Sequence, residues 1–204
     1  MNYLAHIYLS GDSDEIKIGN FIGDYVKGNK FLDYPEQVSL GIRMHRAIDS
    51  FTDQHADVRE FNKLLKPGYG RYSGIVSDIF FDHFLASNWQ EFSVFTLREF
   101  AWRAHKAFLA NFGLLPWKVK QFLPFMIRHK RLESYADRET MFHVLEIMSR
   151  RTSLPSNSHW AVQLLEDEYD QFEALFRTFF AELVLYVETE FAIQISKPPS
   201  QLAI

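Results

Sequence analysis

The chain predicts an all-α fold, a single-domain helical bundle, on three observations. Apolar residues recur at helical spacing, as in Val38, Leu40, Ile42, Met44, Ile48 and Phe51. Strand signals are weak, with no clean alternation and no Asn-Gly or Asp-Gly pair. Capping residues precede several of the apolar runs. At 204 residues the chain is long enough for one sizeable core. Its 20 phenylalanines point to a bulky one.

The elements follow in order. Residues 2–9 form a short apolar segment that carries His6. Ser13 or Asp12 caps a second helix, with Asp14 and Glu15 in its first turn, which runs out past Asp24 to Gly28. A long helix opens at Pro35, a good first helical residue, and spans 35–65 until Pro67-Gly-Tyr-Gly70 ends it. Residues 71–89 are apolar nearly all round, which marks a buried helix. Thr96 and Glu99 make a capping box for a helix that ends near Asn111. After a loop, a helix over 118–128 contains Pro124, which should kink it. Asp137 caps a helix that ends at Arg151, and Ser156 to Ser158 open a last long helix over 159–191. No repeat or linker divides the chain. One domain is expected over 1–192, with 193–204 a flexible tail.

Composition narrows the function. A net charge of −4 argues against a general nucleic-acid binder. The absence of cysteine excludes disulfides, thiolate metal sites and a cysteine nucleophile, and it fits a cytoplasmic protein. No basic region precedes the first apolar run and no stretch reaches 18 uncharged apolar residues. Neither a signal peptide nor a membrane span is expected.

Charged groups inside apolar segments carry the chemistry. His45 and Asp49 lie one turn apart within an apolar arc, with Arg46 and Asp53 at its edge. Asp78 and Asp82 repeat that spacing in the all-round apolar helix, with His83 beside them. Asp24 and His6 sit in apolar surroundings too. Such groups are costly to bury alone. They can satisfy one another and nearby polar groups, or they can hold a metal ion. His/Asp sets suit Mn²⁺, Fe²⁺, Mg²⁺ or Zn²⁺, and two such ions are chemically possible and would suit phosphoester hydrolysis.

The start Met1-Asn-Tyr-Leu-Ala-His6, the run from Gly19 to Gly28 around Asp24, the block Gly41 to Asp53, Asp82-His83-Phe84-Leu85 and Met148-Ser-Arg-Arg151 occur in that order. Together they resemble the bacterial acyl carrier protein phosphodiesterases, over nearly the whole chain to about residue 191. That family is grouped with the HD-domain metal-dependent phosphohydrolases, which implies an all-helical HD-like fold. The metal motif is non-standard, because this chain has only the reversed pair Asp82-His83. The resemblance implies removal of 4′-phosphopantetheine from holo-acyl carrier protein, with Mn²⁺ as the metal. With helical spacing it ranks Asp24, His45, Asp49 and Asp82 as ligands, then His6 and His83, with Asp78 and Asp53 behind. Arg46 is expected to offset phosphoryl charge, and His83 or His6 to protonate the leaving oxygen. Carrier proteins are acidic, so a basic docking surface is expected at Arg128-His-Lys-Arg131 and Arg150-Arg151. Two other readings share the pocket. One is a metal phosphohydrolase acting on a nucleotide or other small phosphodiester. The other is a non-enzymatic helical protein with a buried polar network.

Overall fold

A computed structural model describes residues 2–198. Among them are twelve α-helices, four 3₁₀ turns and no strand. The all-α expectation holds. No described helix is long and apolar enough to cross a membrane.

The N-terminal third builds the site. Helix α1 (Tyr3–Tyr8) is followed by α2 (Asp14–Ile22), which starts where the Ser13 hydroxyl accepts the Ile16 N–H at 3.3 Å. Two 3₁₀ turns, Gly23–Tyr25 and Gly28–Asp33, lead to α3 (Glu36–Gln54). The expected single helix over 35–65 is broken at His55, whose backbone is extended. The His55 ring nitrogen Nδ1 accepts the Asp57 N–H at 3.2 Å and so caps α4 (Ala56–Tyr69). Helix α4 carries Pro67 inside it and ends at Gly70, which has a positive φ.

Helix α5 (Ser73–Ser87) is the buried helix that its composition predicts. A single turn, α6 (Trp89–Phe92), precedes α7 (Leu97–Ala110), which opens with the expected Thr96–Glu99 capping box. Then come α8 (Trp117–Arg128), with Pro124 inside it, the short α9 (Arg131–Ser134), and α10 (Arg138–Arg151). Asp137 caps α10 by accepting the Glu139 N–H at 3.1 Å. The last long helix is also two, α11 (Ser158–Asp167) and α12 (Tyr169–Phe191).

Phenylalanines fill the seam between α4, α5 and α12. Phe84 stacks on Phe176 at 5.5 Å and Phe61 meets Phe172 at 4.4 Å. Beyond α12 the chain turns back. Ile195 is buried and its N–H donates to Glu188 at 3.0 Å, while the Ser196 hydroxyl donates to Asp12 at 3.3 Å. Residues 193–198 thus pack against the domain, where a free tail was expected. Residues 199–204 of that expected tail lie outside the described residues.

Candidate functional site

Helices α2 and α3 meet backbone to backbone. A Cβ on Gly19 would lie 2.8 Å from the Gly41 Cα, and one on Gly41 would lie 2.9 Å from the Gly19 Cα. Glycine at both positions removes the side chains that would hold the helices apart. One turn further along, a Cβ on Gly23 would strike the His45 ring, so Gly23 leaves the space that His45 fills.

Asn20, fully buried beside that seam, sets both histidines. Its side-chain Oδ1 accepts the His6 Nδ1–H at 2.7 Å, and its backbone carbonyl accepts the His45 Nδ1–H at 2.8 Å. Its amide nitrogen donates to the His6 carbonyl and the Ser10 hydroxyl. The two rings stack, with centroids 4.1 Å apart. With both Nδ1 atoms occupied, both Nε2 atoms face the same side.

Asp49 lies on that side, one turn after His45. Its carboxylate oxygens are 3.2 Å from His6 Nε2 and 3.2 Å from His45 Nε2, and an Asp24 oxygen is 3.5 Å from His45 Nε2. These are close contacts that miss the line of an N–H bond. Both Nε2 atoms are buried without a hydrogen-bonded partner among the described residues. One ligand atom each from His6, His45 and Asp49 falls within 4.8 Å of the others. A ring nitrogen fixed through its other N–H, close to a carboxylate yet not bonded to it, is what a metal-ligating histidine needs. The donor set fits a divalent ion.

The two histidines differ in charge. Burial, then the neighbouring His45, hold the His6 pKa down to about 4, so its imidazole is neutral at pH 7. Burial opposes charge on His45, but Asp24 and Asp49 outweigh it and push its pKa up to about 9. Burial also opposes charge on Asp49, yet His45 and His6 hold it well below the usual carboxylate range. His45 holds Asp24 below that range as well.

A cavity of about 140 Å³ opens over this group. Tyr3, Phe21 and Ile79 line it beside Asp24 and Asp78. Asp78 is half-buried, and burial raises its pKa.

The remaining expected site residues sit elsewhere. Asp82 is fully buried, and its two oxygens accept the Leu4 and Ala5 N–H groups at 2.9 and 3.1 Å. It caps α1, the helix that brings His6 to the site. His83 points away from the cavity. Its Nδ1–H donates to the Tyr135 carbonyl at 2.9 Å, and the Tyr169 hydroxyl is 3.4 Å from its Nε2. Arg46 donates through Nη2 to the Val26 and Gly28 carbonyls, both at 2.8 Å, and rests over the Phe31 ring. It holds the turns after Asp24. Asp53 is exposed. Sequence reasoning missed Asn20. The signal was there, since Asn20 is a lone amide among Ile18, Phe21 and Ile22.

The arrangement offers the neutral His6 Nε2, the His45 Nε2 once it has lost its proton, and the Asp49 carboxylate to a cation beneath the cavity. The sequence model of one family, acyl carrier protein phosphodiesterase, matches residues 1–183. The acyl carrier protein phosphodiesterase of Photorhabdus laumondii is 34% identical over 191 residues, 93% of this chain and 96% of that protein. Proteins of the same name from Yersinia pestis and Klebsiella pneumoniae strain 342 are 31% and 33% identical. They cover 90% and 93% of this chain, and 96% and 99% of their own lengths are matched. No solved structure matches the chain.

Proposed function

Because the chain belongs to the acyl carrier protein phosphodiesterase family, we propose that it hydrolyses the phosphodiester joining 4′-phosphopantetheine to a serine of holo-acyl carrier protein, using a divalent metal. The products are apo-acyl carrier protein and free 4′-phosphopantetheine. Mn²⁺ is the first choice, ahead of Mg²⁺, Fe²⁺ and Zn²⁺. The reading places the protein in the cytoplasm with its substrate.

The observation that carries the metal is the convergence of the two unbonded Nε2 atoms on Asp49. His6, His45 and Asp49 would hold the ion, with Asp24 at the edge. A divalent cation supplies Lewis-acid chemistry, offsetting charge on phosphoryl oxygens and making water more acidic. The protein does the rest. Asn20 keeps both imidazoles turned so that Nε2 faces the cavity. Tyr3, Phe21 and Ile79 limit the water around the phosphoryl group. Asp78 lines the same cavity and is the candidate proton donor to the leaving serine oxygen.

The test is intact-mass analysis of holo-acyl carrier protein incubated with the enzyme, with Mn²⁺ or with chelator, alongside the metal content of the enzyme. Metal-dependent loss of the phosphopantetheine mass is expected. Bound metal with hydrolysis of a small phosphodiester, and none of the carrier protein, would instead support the small-phosphodiester reading. No metal bound, with Asp49→Ala unfolded, would return the cluster to a structural network.

A further inference from the structure

The cavity over His6 and His45 does not end in a wall. Asn2, Tyr3 and Met148 line it, and the same three residues line a groove of about 700 Å³ between α8, α9 and α10. The floor of the groove is apolar and includes Phe122, Phe125, Val144 and Ile147. Phe125 and Ile147 are 41% and 37% exposed. Exposed apolar groups gathered in a groove that opens from a polar site mark a place where a ligand lies.

Charge says which ligand. Lys118, Arg131 and Arg151 stand on the groove. Among the described residues none of the three pairs with a carboxylate, whereas Arg150, next in sequence, pairs with Glu146 at 2.7 Å. The Arg131 guanidinium sits 5.2 Å above the Phe125 ring, so it faces the groove. An occupant must therefore be elongated, mostly uncharged along its length, and attached to an acidic body.

We propose that this groove holds the pantetheine arm of the substrate, laid from the phosphoryl group at the cavity toward Phe125, with Lys118, Arg131 and Arg151 receiving the acidic surface of the carrier protein. This rests on the proposed function above and adds the direction in which the substrate lies. The arm has a branched carbon near the phosphate, two amides and a terminal thiol. Its amides and alkyl segments suit a groove of aromatic and aliphatic side chains. Of the basic residues expected to dock the partner, Arg131 and Arg151 are placed to act and Arg150 is already paired.

The chain contains no cysteine, so a single introduced thiol can report on the arm. Phe125→Cys and Ile147→Cys are each converted to the mixed disulfide with thionitrobenzoate and mixed with holo-acyl carrier protein. The thiolate of an arm in the groove attacks that disulfide and releases thionitrobenzoate. Intact mass then shows the enzyme joined to the carrier protein, or to phosphopantetheine if cleavage comes first. Leu185→Cys, exposed on α12 and outside the groove, is the control.

Capture at least tenfold faster at 125 or 147 than at 185 is expected, and Arg131→Glu with Arg151→Glu should slow it tenfold at low salt. Circular dichroism checks that each variant is folded. Both test positions are exposed, so loss of fold at one leaves the other to decide. If the wild-type enzyme cleaves the carrier protein and capture is no faster in the groove than at 185, the groove assignment is wrong and the reaction stands. If the wild-type enzyme does not cleave the carrier protein at all, the reaction is wrong and the groove assignment goes with it.

Discussion

At the scale of single residues, Asn20 does for His6 what its own backbone does for His45. Replacing it with alanine removes the acceptor for His6 Nδ1–H and leaves the His45 acceptor in place. Affinity for Mn²⁺ should fall roughly 10- to 100-fold, the range for losing a partner that orients a ligand. Chelator competition would measure it, and unchanged affinity would falsify the orienting role.

His45 gives a pH prediction. Its pKa stands near 9 in the metal-free protein, and a histidine must lose that proton to bind through Nε2. Affinity should therefore rise with pH up to about 9, and binding near pH 7 should release one proton. Calorimetry in buffers of different ionisation enthalpy counts it.

Asp82 predicts a different pH effect. Burial pushes its pKa up to about 7, above the value of an unfolded aspartate. Its contribution to stability is complete below about pH 4 and is lost as pH rises through about 7. Asp82→Asn should flatten that part of the stability profile, read as urea midpoints between pH 4 and 8. Asp82→Ala should cost about 3 kcal/mol, since two buried N–H groups lose their acceptor. Asp49→Ala should lower stability, because the buried His45 loses a carboxylate partner, yet leave the protein folded and abolish metal binding. Asp49 was legible as a candidate site residue because it shares a helical face with His45. Asp82 has the same spacing to Asp78, but its partners lie on a helix about eighty residues earlier, and spacing within one helix cannot show that.

At the scale of elements, local signals proved readable where a side chain closes onto its own backbone. Ser13, Thr96 and Asp137 cap where expected. The breaks at His55 and Glu168 were not legible, because apolar periodicity continues across both. His55 looks like an ordinary polar residue until its ring caps α4. The α2–α3 seam belongs to this scale as well. Gly41→Ala forces a methyl group into the backbone of α2 and should destabilise by about 3 kcal/mol, at the upper end for overpacking. Gly113→Ala, which meets nothing within 4 Å, should be within about 0.5 kcal/mol of wild type, as surface substitutions usually are. Equal thermal midpoints for the two variants would rule out the seam as a tight contact.

For the molecule as a whole, the all-helical class and the bulky core followed from composition and periodicity. The meeting of His6, Asn20, Asp24, His45 and Asp49 did not, because it depends on how three helices cross. If the ion binds only the folded protein, it stabilises by mass action. At a free Mn²⁺ concentration 100 times the dissociation constant, the gain is about 2.7 kcal/mol. The thermal midpoint should then rise by roughly 5–10 °C, and Asp49→Ala should show no rise.

The glycine contact between α2 and α3 also bears on kinetics. Asn20 and His45 are carried on two backbones in direct contact, with no side chain between them that could change rotamer. Amides along that seam should exchange with solvent only when the whole domain opens. Metal uptake then needs no rearrangement of the protein. Its observed rate should stay linear in metal concentration instead of levelling off at a conformational step, and the slope should follow how fast each ion sheds water and the site gives up its proton.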